Sequence, residues 1–525
     1  VPDTAEIAIA DPLLARLTSI VGAEGVLTGA AALPYITDIY RRRATPLAVV
    51  RPPDVATLSA AVAAATAAGA AIFPRGGGAS YSDGYLPTRA QAVVVDLGRL
   101  DRIVEINAAD AYVTVEAGVT WAALKAALDP LGLRTPFFGP FSGLAATVGG
   151  SVSQNSLSHG SGAHGISAQS VLGLEVVIAS GEVIRTGAAA LGAAPFARFC
   201  GPDLAGLFTG DCGALGIKAR ITLPLLRRKP AFGCASFAFA TLADLAGAMR
   251  AAAMEGLDDE HFAIDEALSQ GQIARQDAGA VFAMARSVLA AAPSLLAGAA
   301  QLARMAAAGA RDLRAAQFML HMIVEGVSRA EVNARLGRVR QLMAAGREIA
   351  NSVPTVVRAA PFAPLYNTLG PRGERWVPLH GVLAHSQVAP FHAALQQLYA
   401  GRAETMRRLG VWTGGMFETV NSSGFLYEIA IYWPGARNDY HRAVVPADHL
   451  AGLPTYPDDA ETMAFVDDLK TDITALLGRS GAVHFQLGKT YPYATALAPE
   501  TLALVRAVKA ELDPKGLMNP GALGL

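Results

Sequence analysis

Six residues early in the chain carry the clearest chemical signal: Arg75-Gly76-Gly77-Gly78-Ala79-Ser80. Three consecutive glycines strip every Cβ from a turn, so successive backbone N–H groups can converge on an anion. A pyrophosphate is the natural guest. The spacing is neither GxGxxG opening a helix nor GxxxxGK[ST], so a Rossmann dinucleotide fold and a phosphate-loop NTPase are both poorly supported. Taken alone, the triplet is a weak signal.

A second set of chemical residues lies in the later half. It comprises Trp376–His380, Tyr427–Trp433 and His484–Tyr493. Residues 427–433 read as a strand, whose alternation places Glu428, Ala430 and Tyr432 on one face and Ile429 and Ile431 on the other. A carboxylate and a phenol are then aimed together. His380 is a candidate general base for a hydroxyl proton. Lys489 or Arg358 is a candidate to hold a substrate carboxylate through a charge-assisted bond. Each has a plainer alternative: Glu428 paired with an arginine, His380 hydrogen-bonded in a strand, Lys489 and Arg358 solvated or paired. His159 and His164 are five residues apart, which does not put them on one helix face. Inside a Gly/Ser loop they read as cofactor-contacting or structural residues, and no metal site is expected.

The elements around these residues follow from pattern. Residues 54–69 read as a helix with Asp54 in its first turn and Gly69 ending it. Ala71–Phe73 is a short buried strand running into the glycine triplet. Strands are expected at Ala92–Leu97, Ile103–Ile106, Tyr112–Glu116 and Gly216–Leu223, a helix at Trp121–Leu131, and a hairpin at Val171–Thr186 turning at Gly181. Residues 138–165 contain no Asp, Glu, Lys or Arg and read as a long functional loop. Residues 242–349 are alanine-rich and mostly helical in pattern, with a strand at Phe318–Val324. Pro499–Leu512 reads as a helix with Pro499 at its first position.

The bulk numbers bound the answer. With 525 residues, 52% hydrophobic and 17% charged, the chain is a well-buried globular protein of two domains or two large lobes. A formal charge of −1 leaves no electrostatic footprint for nucleic acid. Cys200, Cys212 and Cys234 form neither a CxxC pair nor a zinc pattern, which suits a reducing compartment. No signal peptide is visible, and a cytoplasmic location is expected. The apolar stretch Ser287–Ala303 is short and alanine-rich. It reads as a buried or interface helix rather than an integral membrane span, with a membrane-surface contact as the alternative. Boundaries are expected near 228 and 495, giving segments 1–228, 229–494 and 495–525.

The pieces become specific when taken in order. After the triplet come Val93–Leu97, Val113–Val119, Ala146–Gly150, Gly160–Gly165, Val171–Val177 and Leu207–Ile217. This ordered set resembles the FAD domain of the vanillyl-alcohol oxidase / p-cresol methylhydroxylase superfamily, which also contains flavin-dependent D-lactate and glycolate dehydrogenases. The resemblance covers residues 45–228 and returns at Leu512–Gly521.

The resemblance implies an α+β fold. Its parts are a two-subdomain FAD-binding domain of the p-cresol methylhydroxylase type, a mixed α/β substrate cap, and a C-terminal segment returning to the FAD domain. It implies that Arg75, Gly76, Gly77, Gly78, Ala79 and Ser80, with Tyr81 beside them, hold the pyrophosphate. Thr147, Val148, Gly149 and Gly150 would line the flavin and its ribityl chain. Gly160, Ala163, His164 and Gly165 would close the other side, Gly216 and Ile217 would meet the dinucleotide with their backbone, and Asn519 would come back to the domain. There are departures. Ala79 stands where some members attach FAD through a histidine, and Ser142–Ala146 contains no cysteine for the other known linkage. A link from the cap through a His or Tyr stays open. Ile166 falls where vanillyl-alcohol oxidase has an acidic residue. Neither the histidine-rich run of the metal-using hydroxy-acid dehydrogenases nor the His-His doublet of the alkyl-glycerone-phosphate synthases is present.

The leading expectation is therefore a non-covalent FAD enzyme that oxidises a hydroxyl-bearing carbon of a hydroxy acid or alcohol by hydride transfer to flavin N5. Electrons would leave to a quinone, a cytochrome or oxygen, and a homo-oligomer stays open. One alternative oxidises para-substituted phenols through a quinone methide, with Tyr81, Tyr427, Tyr432, Tyr491 and Tyr493 as candidates. Another is a flavin- or partner-binding protein without turnover, using the alanine-rich stretch 242–310 as its surface.

Overall fold

The computed structural model describes residues 4–274, 316–351 and 353–525. The stretch Ser287–Ala303, and most of the alanine-rich segment around it, lies outside them.

The first sheet is built from β1 (Val26–Leu27), β2 (Ala48–Val50), β3 (Ala71–Arg75) and β4 (Ala92–Asp96), in the order β1-β2-β4-β3. β4 runs parallel to both β2 and β3. Parallel strands covered on both faces read as unbroken apolar runs, which is why Ala92-Val93-Val94-Val95 shows no alternation. The helix Val55–Ala67 makes the crossover from β2 to β3, and the Asp54 side chain caps it by accepting from the Thr57 N–H at 2.7 Å. The crossover from β3 to β4 is a loop instead. It contains the glycine triplet.

Next come β5 (Ile103–Asn107), β6 (Tyr112–Glu116), β7 (Leu133–Arg134), β8 (Gly173–Val177), β9 (Val183–Arg185), β10 (Ile217–Pro224) and β11 (Leu226–Arg227). β7 and β11 pair as a small ribbon, and the others form an antiparallel sheet in the order β5-β6-β10-β8-β9. The expected hairpin is the β8–β9 pair, turning through Gly181 at φ +89°. The expected long loop 138–165 is a correction. It contains the helices Val148–Gln154 and Ser161–His164. Its Gly/Ser composition hid a helix whose start is capped by Thr147, with Oγ1 accepting from the Gly150 N–H at 3.2 Å, and whose Val148 and Val152 are buried between sheets.

The third body is a seven-stranded antiparallel sheet. Its strands are β12 (Ala231–Phe239), β13 (Glu260–Asp265), β14 (Phe318–Gly326), β15 (Arg347–Ile349), β16 (Arg375–Ala384), β17 (Trp412–Val420) and β18 (Gly424–Trp433), in the order β15-β12-β14-β13-β17-β18-β16. Helices Leu242–Glu255, Arg329–Leu342, Val388–Leu409 and Ala460–Arg479 cover one face, where Leu320, Leu379, Phe417, Ile429 and Ile431 meet Met249, Leu336, Phe391 and Leu469. That leaves the opposite face turned toward the first lobe. The chain then returns. After the helix Pro499–Leu512, the Ile72 N–H donates to Leu517 O at 2.7 Å and the Asn519 N–H to Ile72 O at 2.8 Å, extending the exposed edge of β3. Among the described residues no helix is long and apolar enough to cross a membrane.

Candidate active site

The C-terminal end of β3, the start of helix Val148–Gln154, the start of β10 and the uncovered face of β16–β18 line a cleft open to solvent. Gly76, Gly77, Gly78, Ala79, Ser80 and Tyr81 form one wall. None of the backbone N–H groups of residues 76–81 donates to an acceptor among the described residues. N–H groups of a glycine loop that lines a cleft and meets no protein acceptor are available to an anionic group. The glycines are required by close approach: a Cβ at Gly77 would overlap the Ala145 carbonyl oxygen, and one at Gly76 would lie 2.6 Å from Thr147 Oγ1. Thr147 and Gly150 pack against Gly76, and with Gly149 they line the cleft beside the triplet. Arg75 stands behind the loop. Its Nη1 donates to Asp96 Oδ1 at 3.0 Å, and its guanidinium lies over the Tyr35 and Tyr85 rings.

Gly213, Gly216, Ile217 and Lys218 supply the floor. Lys218 forms a fully buried ion pair with Asp211. Asn519 braces this end from outside the lining. Its Nδ2 donates to Gly84 O at 2.8 Å and Cys212 O at 2.5 Å, while its Oδ1 accepts from Lys489 Nζ at 2.9 Å. Asp83, Cys212, Gln486 and Asn519 all adopt positive φ, between +41° and +63°. Each such non-glycine residue costs about 1–2 kcal/mol, and clusters of them mark sites whose shape is over-determined by their surroundings.

Strand register decides what faces the other end. His380, Glu428 and Met416 stand in one cross-strand row of β16, β18 and β17; Trp376, Tyr432 and Trp412 stand in another on the same face. Trp376, Met416 and Glu428 line the cleft, with Tyr81 edge-on to Trp376 at 5.9 Å between ring centres. Glu428 accepts no hydrogen bond from the described residues, and burial pushes its carboxyl up to about 7. Two further groups on this sheet face escaped the sequence reading. Glu418, one register step from Glu428 on the neighbouring strand, is 4% exposed, and its Oε1 has no partner among the described residues. Burial, then the nearby Glu260, Glu428 and Asp258, drive it well above the usual carboxylate range. His321 is buried with Nε2 unpartnered and Nδ1 sharing a 2.9 Å hydrogen bond with Ser236 Oγ; burial lowers it to about 3. The available signal was a lone Glu or His within an otherwise apolar run.

Several expectations need correction. His380 does not line the cleft. It is fully buried, stacked 3.9 Å from Phe485 and flanked by Tyr81 and Tyr491; neither ring nitrogen has a partner, and burial lowers it to about 3. A ring that resists protonation so strongly is a poor base. Tyr432 shares Glu428's face but stacks on Trp412 at 3.9 Å, outside the lining. Arg358 is remote from the cleft, its Nε 2.6 Å from Glu325 Oε1. Lys489 Nζ is occupied by Asp83 O, Gly84 O and Asn519 Oδ1. Gly160, Ala163, His164 and Gly165 belong to a short helix packed against β13 and β17 rather than to the cleft wall, and the Val148 side chain is in the core.

An anion cradle of free N–H groups joined end to end with an aromatic, carboxyl-bearing chamber defines the class: a dinucleotide-binding oxidoreductase fold. Residues 46–187 match the FAD binding domain family, and residues 488–523 match the C-terminal domain of FAD linked oxidases. The chain is 31% identical over 222 residues to the glycolate oxidase subunit GlcD of Escherichia coli K12, covering 42% of each chain. It is 31% identical over 222 residues to D-2-hydroxyglutarate dehydrogenase of Xanthomonas citri, covering 42% of this chain and 46% of that one. The chain thus matches less than half the length of these curated relatives. Its fold is that of p-cresol methylhydroxylase with substrate bound, at a TM-score of 0.74 and 18% identity over 99% of this chain and 97% of that one. The two matched segments make FAD the cofactor, and the fold is of the p-cresol methylhydroxylase type.

Proposed function

We propose that this protein oxidises a hydroxyl-bearing carbon of a small organic substrate, with Glu428 taking the hydroxyl proton. The observation that carries the reading is Glu428 itself. It is a carboxyl in the cleft wall, free of protein hydrogen bonds, and held near pH 7 by burial. A base works best when its pKa lies near the working pH.

The residues of this chain divide the work. The N–H groups of residues 76–81 would hold the pyrophosphate, and Thr147, Gly149, Gly150, Gly216 and Ile217 would line the rest of the dinucleotide. When bound, FAD supplies the two-electron acceptor, taking hydride at N5. Trp376, Met416, Phe141 and Leu365 wall the chamber with apolar surface that excludes water. Burial raises the Tyr81 and Tyr491 phenols, so both stay neutral donors at physiological pH.

The phenol reading draws support from the convergence of Tyr81 and Tyr491 around His380. It also wants a cation to stabilise a phenolate. The cation in the described lining is Lys218, which is committed to Asp211. A binding protein without turnover would fill the chamber with its own side chains, and the open cleft weighs against that.

The test is anaerobic flavin bleaching by a panel of alcohols, diols, hydroxy acids and phenols. Glu428→Gln should keep its flavin and lose about 10²–10⁴-fold in bleaching rate. An unchanged rate would remove Glu428 from the mechanism.

A further inference from the structure

A second, smaller hollow lies where the antiparallel sheet of the first lobe meets the seven-stranded body. Among the described residues it shares no lining residue with the cleft. Three elements bring charge to it. The helix Trp121–Leu128 contributes Lys125 beside Leu124 and Leu128, with Asp129 directly after. The β7–β11 ribbon sets Arg134 against Leu226, and the Arg228 N–H extends it by donating to Gly132 O at 2.9 Å. From the seven-stranded body come Glu325 on β14 and Arg358 in the last turn of the helix Val353–Ala359.

These charges do not balance. Asp129 serves both Lys125 and Arg228, and the buried Glu325 serves both Arg134 and Arg358. Asp259, the acid next to Glu325, is committed to Lys229 at 2.8 Å and to the Glu325 N–H at 2.7 Å. Donors are left over. Arg134 Nε is buried with no acceptor among the described residues, and Arg358 Nε, 2.6 Å from Glu325 Oε1, is out of line for a hydrogen bond. The excess is felt nearby: burial, then the Arg134 charge, holds His164 below the usual imidazole range.

A buried guanidinium donor without an acceptor is costly, and an oxyanion supplies what it lacks. The rest of the wall includes Leu124, Leu128 and Phe138, which suit an apolar body. We propose that this hollow is a second binding site, which takes a small oxyanion, a carboxylate or a phosphate, held by Arg134 and Arg358. Bound there, the anion joins the two lobes, since each supplies one of the guanidiniums. The segment after Arg134 also runs from this site into the cleft: Phe138 lines the hollow, and Pro140 and Phe141 line the cleft.

The experiment is isothermal titration of the purified holoenzyme with benzoate, with inorganic phosphate and, as the uncharged control, with benzamide. The flavin difference spectrum is recorded in parallel to report the cleft. Benzoate or phosphate should bind at a single site with a Kd at or below about 1 mM, leave the flavin spectrum unchanged and raise the thermal midpoint. Benzamide should bind there at least about ten-fold more weakly. Arg134→Gln should weaken the anion about ten-fold at normal flavin content. Should that variant fail to fold, Arg228→Gln, at the more exposed rim, should weaken it about two- to five-fold. Tighter benzoate would assign the site to an organic acid, and tighter phosphate to a phosphate group. The proposal is overturned if neither anion binds, if benzamide matches benzoate, or if the folded variants bind the anion as the wild type does.

Discussion

The two ends of the cleft are made in opposite ways. At the end proposed to hold the dinucleotide the groups on offer are backbone. The N–H groups of residues 76–81 meet no acceptor among the described residues, and Gly76 and Gly77 lack the Cβ that would clash with Thr147 and Ala145. At the substrate end the working groups are side chains, delivered by the register of β16, β17 and β18. A backbone site tolerates few residue types and keeps its shape locally. A side-chain site is set by which strands pair and in what phase, so it can be rebuilt while the fold stays the same.

The sharpest break between the two ends is Gly77→Ala. Its Cβ would overlap the Ala145 carbonyl oxygen, and neither backbone can yield cheaply. The purified variant should carry less than about a tenth of the normal flavin, read as the ratio of flavin to protein absorbance, because a buried clash of this kind costs about 1–3 kcal/mol or more. Normal flavin content would mean that the cradle is softer than its geometry.

Next is the pH profile at the substrate end. Burial raises Glu428 to about 7, and proton removal needs its ionised form. Flavin bleaching by substrate should therefore rise with pH through about 7 and level off above it. In Glu428→Gln that limb should vanish. The same shift has the opposite sign for stability. A carboxyl whose folded pKa is raised stabilises fully below its unfolded value, and that contribution is lost as pH rises from about 4.5 through about 7. Asp265, raised by burial to about 6, acts in the same direction. Thermal unfolding of the wild type should fall in midpoint between pH 5 and pH 8, and less so for Glu428→Gln.

Smaller effects separate bracing from lining. Lys489→Met removes the cation that ties Asp83, Gly84 and Asn519 together behind the dinucleotide end. FAD affinity should weaken about ten-fold, near 1.4 kcal/mol, with substrate KM unchanged. A change in KM alone would return Lys489 to the substrate site. Smallest at the cleft is Arg358→Ala. It leaves Glu325 with Arg134, 3.2 Å away, and should cost about 1–3 kcal/mol of stability by chemical denaturation while shifting kcat/KM less than about two-fold. A large rise in KM for a carboxylate substrate would contradict the placement of Arg358 outside the cleft.

Legibility followed the same division. That Gly76–Ser80, Thr147, Gly149, Gly150, Gly216 and Ile217 meet at one cleft was legible because close backbone approach demands glycine at fixed order along the chain; Val148 turns into the core. The strand β4 and the helix Pro499–Leu512 could be read because local composition and the proline at the first helical position specify them. The helix Val148–Gln154 was missed because glycine and serine suppress helical propensity, and only Thr147 and burial between two sheets stabilise it there. His380 was read as a base because a histidine in isolation titrates near neutrality; the ring packed between Tyr81, Phe485 and Tyr491 does not.

What the amino-acid order carried was the cofactor: the glycine triplet alone is a weak signal, and it is the ordered set of segments from Arg75 to Ile217, with the return at Leu512–Gly521, that resembles an FAD domain. Tertiary structure decided which acid faces the cleft. Glu428 reaches the lining, and Arg358 and Lys489 are engaged elsewhere, only when strands distant in sequence settle into register and burial sets the charge of each group. Pairing phase and desolvation are properties of the folded sheet and not of any local run of residues.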